Sequence, residues 1–271
     1  MLLFLSLAMA GNYYIYDSIA PVADLLSSQL GYTDTQIGWL YSIYSVSAIT
    51  TLLIGGILID RLGVKVAGLA FALLCLAGAV INVSSGSYAA MLAGRLVLGL
   101  GAESLIVAVT TALAKWFKGK ELGLAFGLNL LVARLASVAA DNSPTWAQPL
   151  YETWRGPLAI AVLAGVIGVV GAAVYWVLEA RADRSYTLGA AGEADKLVVA
   201  DLFKFTRSYW FIVGLCLVFY SAVFPFRTFA IKFFMEGHGA TRELGGFLNS
   251  VLPLSAMVFL AVGRHPIAGL A

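Results

Sequence analysis

The sequence predicts an all-α membrane protein that crosses a bilayer about eight times, and three observations predict it. Apolar residues make up 61% of the 271 and charged residues only 12%, with a mean hydropathy of +0.89. That leaves too little polar surface to cover a water-soluble globule of this size. Apolar runs recur at the length of roughly 20 residues that a helix needs to cross a hydrocarbon core of about 30 Å. The basic residues between those runs fall mostly on alternate loops, as the positive-inside rule requires.

In chain order, the spans are expected at about residues 2–23, 37–59, 66–83, 88–114, 121–141, 157–179, 208–230 and 244–263. The first contains Ala8-Met9-Ala10, which imitates a signal-peptidase site. No basic residue precedes it, however, and the run continues through Tyr13-Tyr14-Ile15-Tyr16 to Pro21, so it reads as a retained span. With the N-terminus on the inner side, the inner segments hold Arg61, Lys65, Lys115, Lys118, Lys120, Arg181, Arg184, Lys196, Lys204 and Arg207. The outer segments hold only Arg155, Lys232 and Arg242. The net charge of +2 therefore reports topology, and no nucleic-acid partner is expected.

The layout divides into a six-helix N-terminal bundle over 1–179, a cytoplasmic linker over 180–207, and an incomplete second bundle over 208–271. The end of the linker, residues 197–205, alternates apolar and polar residues loosely, which fits either a segment lying on the inner membrane surface or a solvated loop.

Between the second and third spans, Gly56, Asp60, Arg61, Gly63 and Lys65 form the pattern Gly-xxx-Asp-Arg-x-Gly-x-Lys. The glycines would permit a turn and close backbone approach, Asp60 can cap or pair across a helix end, and Arg61 and Lys65 would hold the loop on the inner side. This turn resembles the loop between helices 2 and 3 of the major facilitator superfamily. Arg95-xxx-Gly99-x-Gly101-Ala102 in the fourth span is similar to a second recurrent motif of that family, whose arginine is structural or coupled to gating. The structural role is the expectation for Arg95, with Gly99 allowing close helix approach. The resemblance implies the facilitator fold, here truncated to about eight helices, with four more and a second copy of the turn expected beyond residue 271.

Ionisable groups at mid-bilayer depth are costly and tend to mark a substrate path. Glu103 lies 12 residues before Lys115, and Arg134 lies 13 after Glu121. At about 1.5 Å per residue, both sit roughly 18–20 Å from the inner surface. Opposite charges at equal depth on neighbouring spans can clamp a zwitterion, the carboxylate holding an ammonium and the guanidinium gripping a carboxylate. They can equally form a salt bridge that only locks the helices, and spacing leaves both readings open. Tyr44 and Tyr220 are candidate cavity walls or gates, as are Tyr41, Phe224 and Pro225. Tyr13, Tyr14 and Tyr16 fit an interfacial belt near the outer end of the first span better than a cavity wall.

Further motifs narrow the resemblance to the lysosomal dipeptide uniporters of the superfamily: Glu103-Ser104-Leu105, Trp116-Phe117-Lys118-Gly119-Lys120-Glu121-Leu122, Ala133-Arg134, Tyr16-Asp17, Tyr41-Ser42-Ile43-Tyr44-Ser45 and Val223-Phe224-Pro225-Phe226. The resemblance implies that Glu103 holds a dipeptide amino terminus and Arg134 its carboxylate. It further implies transport down the substrate gradient by alternating access, and a glycosylated accessory membrane protein as partner. A lysosomal membrane is implied for a eukaryotic source, with the plasma membrane the alternative for a bacterial one. Arg227 departs from the pattern, as does Val66 where a second basic residue often stands.

Other chemistry finds little support. Cys75 and Cys216 lie inside apolar spans and read as packing residues, and His238 and His265 have no ligand cluster around them, so no metal or cofactor is expected. No nucleophile with its base and no phosphate-cradling glycine loop suggests an enzyme. The alternatives carried forward are a facilitator of another small organic anion, and a truncated, non-transporting membrane partner.

Overall fold

The computed structural model describes residues 1–117, 119, 121–182 and 205–262, and these form ten α-helices. α1 (Leu2–Asp17) ends early. Beyond Ser18 the chain makes a 3₁₀ turn over Ala20–Val22 and then α2 (Ala23–Leu30), which stops at the left-handed Gly31. The expected first span of 2–23 is thus broken near its outer end, where Pro21 cannot donate an amide to continue the helix.

α3 (Asp34–Leu62) starts at a capping box: the Gln36 amide donates to Thr33 Oγ1 at 3.2 Å, and the Thr33 amide donates back to Gln36 Oε1 at 2.9 Å. Such a cap stabilises a helix start by about 1 kcal/mol. The charged turn expected over Gly56–Lys65 contracts to a single residue. Asp60 and Arg61 lie in the last turn of α3, and α4 (Val64–Ser84) follows Gly63 directly. Gly63 has φ +79°, a conformation costly for any residue with a Cβ, so the sharp reversal rests on it alone. Gly56, by contrast, faces open space and supports no close approach.

α5 (Tyr88–Phe117) and α6 (Leu122–Asp141) are followed by the short α7 (Ser143–Trp146), a 3₁₀ turn over Gln148–Glu152, and α8 (Arg155–Ala182). α9 (Arg207–His238) and α10 (Arg242–Val262) each carry an internal proline, Pro225 and Pro253. The eight long helices occupy the eight expected spans. Five of them, α4, α5, α6, α8 and α9, are long and apolar enough to cross a membrane, and α3 is a sixth if its two segments, meeting at 48°, count as one span. The chain is a multi-pass membrane protein. Residues 183–204 and 263–271, which include most of the expected linker, all of its 197–205 end but Phe205, and most of the C-terminal tail, lie outside the described residues.

α4 packs on α5, α5 on α3, and α1 between α8 and α6. Close helix approach depends on missing side chains: a Cβ on Gly99 of α5 would lie 2.0 Å from Ser47 Oγ and 2.4 Å from the Tyr44 carbonyl oxygen of α3. α9 and α10 join the first six spans at their outer ends. α10 packs along α6, Arg242 pairs with Asp24, and Lys232 pairs with Asp34 while donating to Ser27 Oγ at 3.3 Å. The inner half of α9 projects Phe211, Leu215 and Val218 outward, 74–79% exposed, an apolar surface suited to lipid or to further helices. Asn82, in the sequence's Asn-Val-Ser glycosylation motif, is buried at 3% exposure, so it makes a poor glycan acceptor.

Candidate functional site

A cavity of about 1060 Å³ opens between α1, α3, α5, α6 and α9. Glu103, Arg134, Tyr44 and Tyr220 all lie on its wall, together with Asn12, Tyr13, Tyr16, Phe224 and Pro225. Glu103, from the middle of α5, accepts a hydrogen bond from the Tyr44 hydroxyl at 3.0 Å. Arg134, from α6, places its guanidinium 5.5 Å from the centroid of the Tyr13 ring.

The two charges line one cavity without forming an ion pair, with each other or with any other charged side chain among the described residues. The packing explains the separation. Equal depth on neighbouring spans left a salt bridge open, yet each charge meets an aromatic side chain instead: Glu103 the Tyr44 hydroxyl and Arg134 the Tyr13 ring, with the Tyr16 ring 4.7 Å from that of Tyr44. Chemically, the result is an anionic pole and a cationic pole set in an aromatic wall.

The interfacial-belt expectation for the α1 tyrosines is corrected by this placement. Tyr13 and Tyr16 line the cavity, and Tyr14 is buried at 7% exposure. α1 is the central helix of the bundle, packed on α5, α6 and α8, so its polar end meets protein and cavity rather than headgroups. Tyr220 stacks on Phe224 with ring centroids 5.3 Å apart, and Phe224 in turn stands edge-on to Tyr16 at 6.4 Å.

Arg95 is fully buried behind this wall. It donates through Nη1 to the carbonyls of Ile15 and Tyr16, at 3.4 and 3.2 Å, and through Nε to that of Leu40 at 3.4 Å. The Ile15 and Tyr16 carbonyls end α1, where the helix has no further amides to offer them, so the guanidinium acts as a buried C-cap. Its carbon lies 4.8–5.5 Å from the ring centroids of Tyr41, Tyr16 and Tyr44, holding three aromatic side chains in place through cation–π contact. Gly56, Asp60, Arg61, Gly63 and Lys65 lie at the inner α3–α4 reversal and do not line the cavity.

One group of residues escaped the sequence reading. Arg227 of α9 donates from Nη2 to Asp141 Oδ2 at 2.9 Å and pairs through Nη1 with Asp17 Oδ1 at 3.2 Å, and Asn249 of α10 donates to Asp141 Oδ1 at 2.8 Å. Arg227 stood out only as a departure from the family pattern, and Asp141 read as a span boundary. The available signal was Arg227 itself, a lone cation in an apolar span that needs a buried acid.

The family model for the Major Facilitator Superfamily matches residues 2–270. Among curated proteins, the chain is similar to the lysosomal dipeptide transporter MFSD1 of Danio rerio, 33% identical over 93% of this chain and 58% of that protein. The proteins of the same name from Homo sapiens and Mus musculus are 32% and 31% identical over 94% of this chain, covering 58% and 59% of their own lengths. The chain thus spans somewhat under three fifths of the relatives it matches.

Proposed function

The chain belongs to the Major Facilitator Superfamily, and from that premise we propose that it is a facilitative carrier of short peptides, dipeptides first, working by alternating access. The observation that carries this reading is the pair of unbridged opposite charges, Glu103 and Arg134, on one cavity wall. Glu103 takes the peptide ammonium, oriented by the Tyr44 hydroxyl, and Arg134 grips the carboxylate. Both ends of a dipeptide are the same whatever its side chains. An extended dipeptide spans only about 7 Å, so a cavity of about 1060 Å³ leaves room for many side chains beside tyrosine and phenylalanine rings.

The likeness to the dipeptide transporters supports the substrate class and, for a eukaryotic source, a lysosomal membrane, with the plasma membrane the counterpart for a bacterial one. The buried Asn82 accords with a partner supplying any protective glycans, as the family resemblance implies. Motion of α9 and α10 against the first six spans, hinging away from the outer ion pairs, would expose the cavity alternately to the two sides.

Uptake into proteoliposomes tests the proposal. Labelled Ala-Ala should enter down its own gradient with no imposed ion gradient, and Glu103→Gln should abolish the uptake. Uptake unchanged in Glu103→Gln would remove the clamp, whereas dependence on Arg134 alone would point to a carrier of small organic anions.

A further inference from the structure

A buried ionic cluster joins the two sets of helices beside the cavity, towards its outer end. Asp17 closes α1, Asp141 closes α6, and both bind Arg227 of α9, while Asn249 of α10 holds Asp141 from the far side. All four residues are at most 8% exposed. Two carboxylates face one guanidinium, which leaves one negative charge in excess.

Among the described residues, no basic side chain other than Arg227 pairs with either carboxylate. Tyr41 of α3 and Tyr16 of α1 are the titratable side chains nearest the cluster, and both are neutral phenols at physiological pH. Arg95 of α5, behind those rings, donates to backbone carbonyls through Nη1 and Nε while Nη2 has no hydrogen-bond partner, and the positive charge it brings is set against the negative charge of Glu103 on the cavity side. Within the cluster Asp17 Oδ2, Asn249 Oδ1 and Arg227 Nε have no hydrogen-bond partner although fully shielded from solvent. An ionised carboxylate oxygen buried without a donor is far costlier than the neutral acid. Asp17 Oδ2 can accept a proton without breaking the bond that Oδ1 makes to Arg227, because the two oxygens are distinct sites on one group.

We propose that the Asp17–Asp141 pair shares one proton while the outer face is shut, so that shutting is a proton-uptake step. This rests on the alternating-access reading above. When the outer face opens, Arg227 leaves with α9, both carboxylates meet water, and the proton returns to the outer solution as each acid ionises. The sign follows: the shut state binds one proton more than the open state, so acidity on the outer side favours shutting. The shut-to-open ratio then changes by up to tenfold per pH unit. Because the proton enters and leaves on the same side, the cycle needs no ion gradient.

The experiment places spin labels on the exposed Ser28 and Glu236, at the outer ends of α2 and α9, in the full chain carrying Cys216→Ser, and measures their distance distribution by pulsed dipolar spectroscopy between pH 8 and 5. The shut population should rise as pH falls, and both Asp17→Asn and Asp141→Asn, which keep the shape and remove the excess charge, should be shut at every pH. Melting curves identify a variant that folds poorly, in which case the other asparagine variant decides. A distribution that responds to added Ala-Ala but not to pH would overturn the proton site and leave the carrier reading standing. A pH slope that survives in either well-folded asparagine variant would also overturn it. A distribution that responds to neither would overturn both.

Discussion

Gly99→Ala should damage this protein more than any other single methyl addition on the cavity-side helices, and the contact geometry says by how much. A Cβ at position 99 would meet Ser47 Oγ at 2.0 Å and the Tyr44 carbonyl oxygen at 2.4 Å. The serine hydroxyl could rotate away. The carbonyl belongs to the backbone of α3 and cannot yield without moving the helix. Overpacking of this kind costs about 1–3 kcal/mol, and a backbone clash belongs at the upper end. Alanine returns about 1 kcal/mol through its better helix propensity, so the net loss is about 2 kcal/mol, or roughly 4–8 °C in melting temperature for a chain of this size. The assay is thermal unfolding in detergent, followed by a thiol-reactive dye on Cys75, which is 2% exposed, with the exposed Cys216 replaced by serine. Adding Ser47→Gly should recover little, because the carbonyl clash remains. Gly214→Ala, where nothing lies within 4 Å, should melt no lower than the parent. A melting temperature for Gly99→Ala within a degree of the parent, or full rescue by Ser47→Gly, would refute the claim that backbone proximity of α3 and α5 is what the glycine provides.

Three further outcomes are expected. Tyr44→Phe removes the 3.0 Å hydrogen bond to Glu103 and little else, so Ala-Ala binding should weaken by roughly 3- to 30-fold while the melting temperature stays near that of the parent. Arg95→Met removes the donor to the Tyr16 carbonyl, which ends α1, and releases three tyrosine rings, while the Ile15 carbonyl keeps the Ser18 hydroxyl and the Leu40 carbonyl its place in the α3 ladder; it should destabilise the fold by about 2–3 kcal/mol, read as a drop in the same thiol-dye melt, with Arg95→Lys recovering only part. Lys232→Asp breaks the outer pair with Asp34, and the double exchange with Asp34→Lys should restore it, seen as a shift of spin-label distances between α2 and α9 toward separation and back.

Span positions were legible because a helix crossing lipid must satisfy its own backbone and present about 20 apolar residues in one run, a local property of the chain. The exceptions have local causes too. Pro21 cuts the first span short, and one positive-φ glycine, Gly63, replaces an expected ten-residue loop because the helix tolerates Asp60 and Arg61 in its final turn at the membrane surface. Glu103 and Arg134 were legible as costly intramembrane charges at equal depth. Their relation was not: that Tyr44 of α3 meets Glu103 and Tyr13 of α1 meets Arg134 depends on bundle packing, to which sequence spacing is blind. The same limit hid the Arg227 cluster, whose bonds join residues 86 and 210 positions apart in the chain, with Asp141 indistinguishable from an ordinary helix end until α9 and α10 are laid across it. The tyrosines of α1 illustrate a third limit. An aromatic cluster near the end of a span looks alike whether it faces headgroups or a cavity.

The most direct test of the central claim compares Ala-Ala with its N-acetylated and C-amidated forms, by ligand-induced thermal stabilisation of the parent, Glu103→Gln and Arg134→Gln proteins. Removing either charge-assisted hydrogen bond should weaken binding by roughly 10- to 100-fold. Glu103→Gln should become indifferent to acetylation while still discriminating against the amide, and Arg134→Gln should show the reverse. Equal stabilisation of the parent by all three peptides, or the same penalties in both variants, would contradict the assignment of Glu103 to the ammonium and Arg134 to the carboxylate.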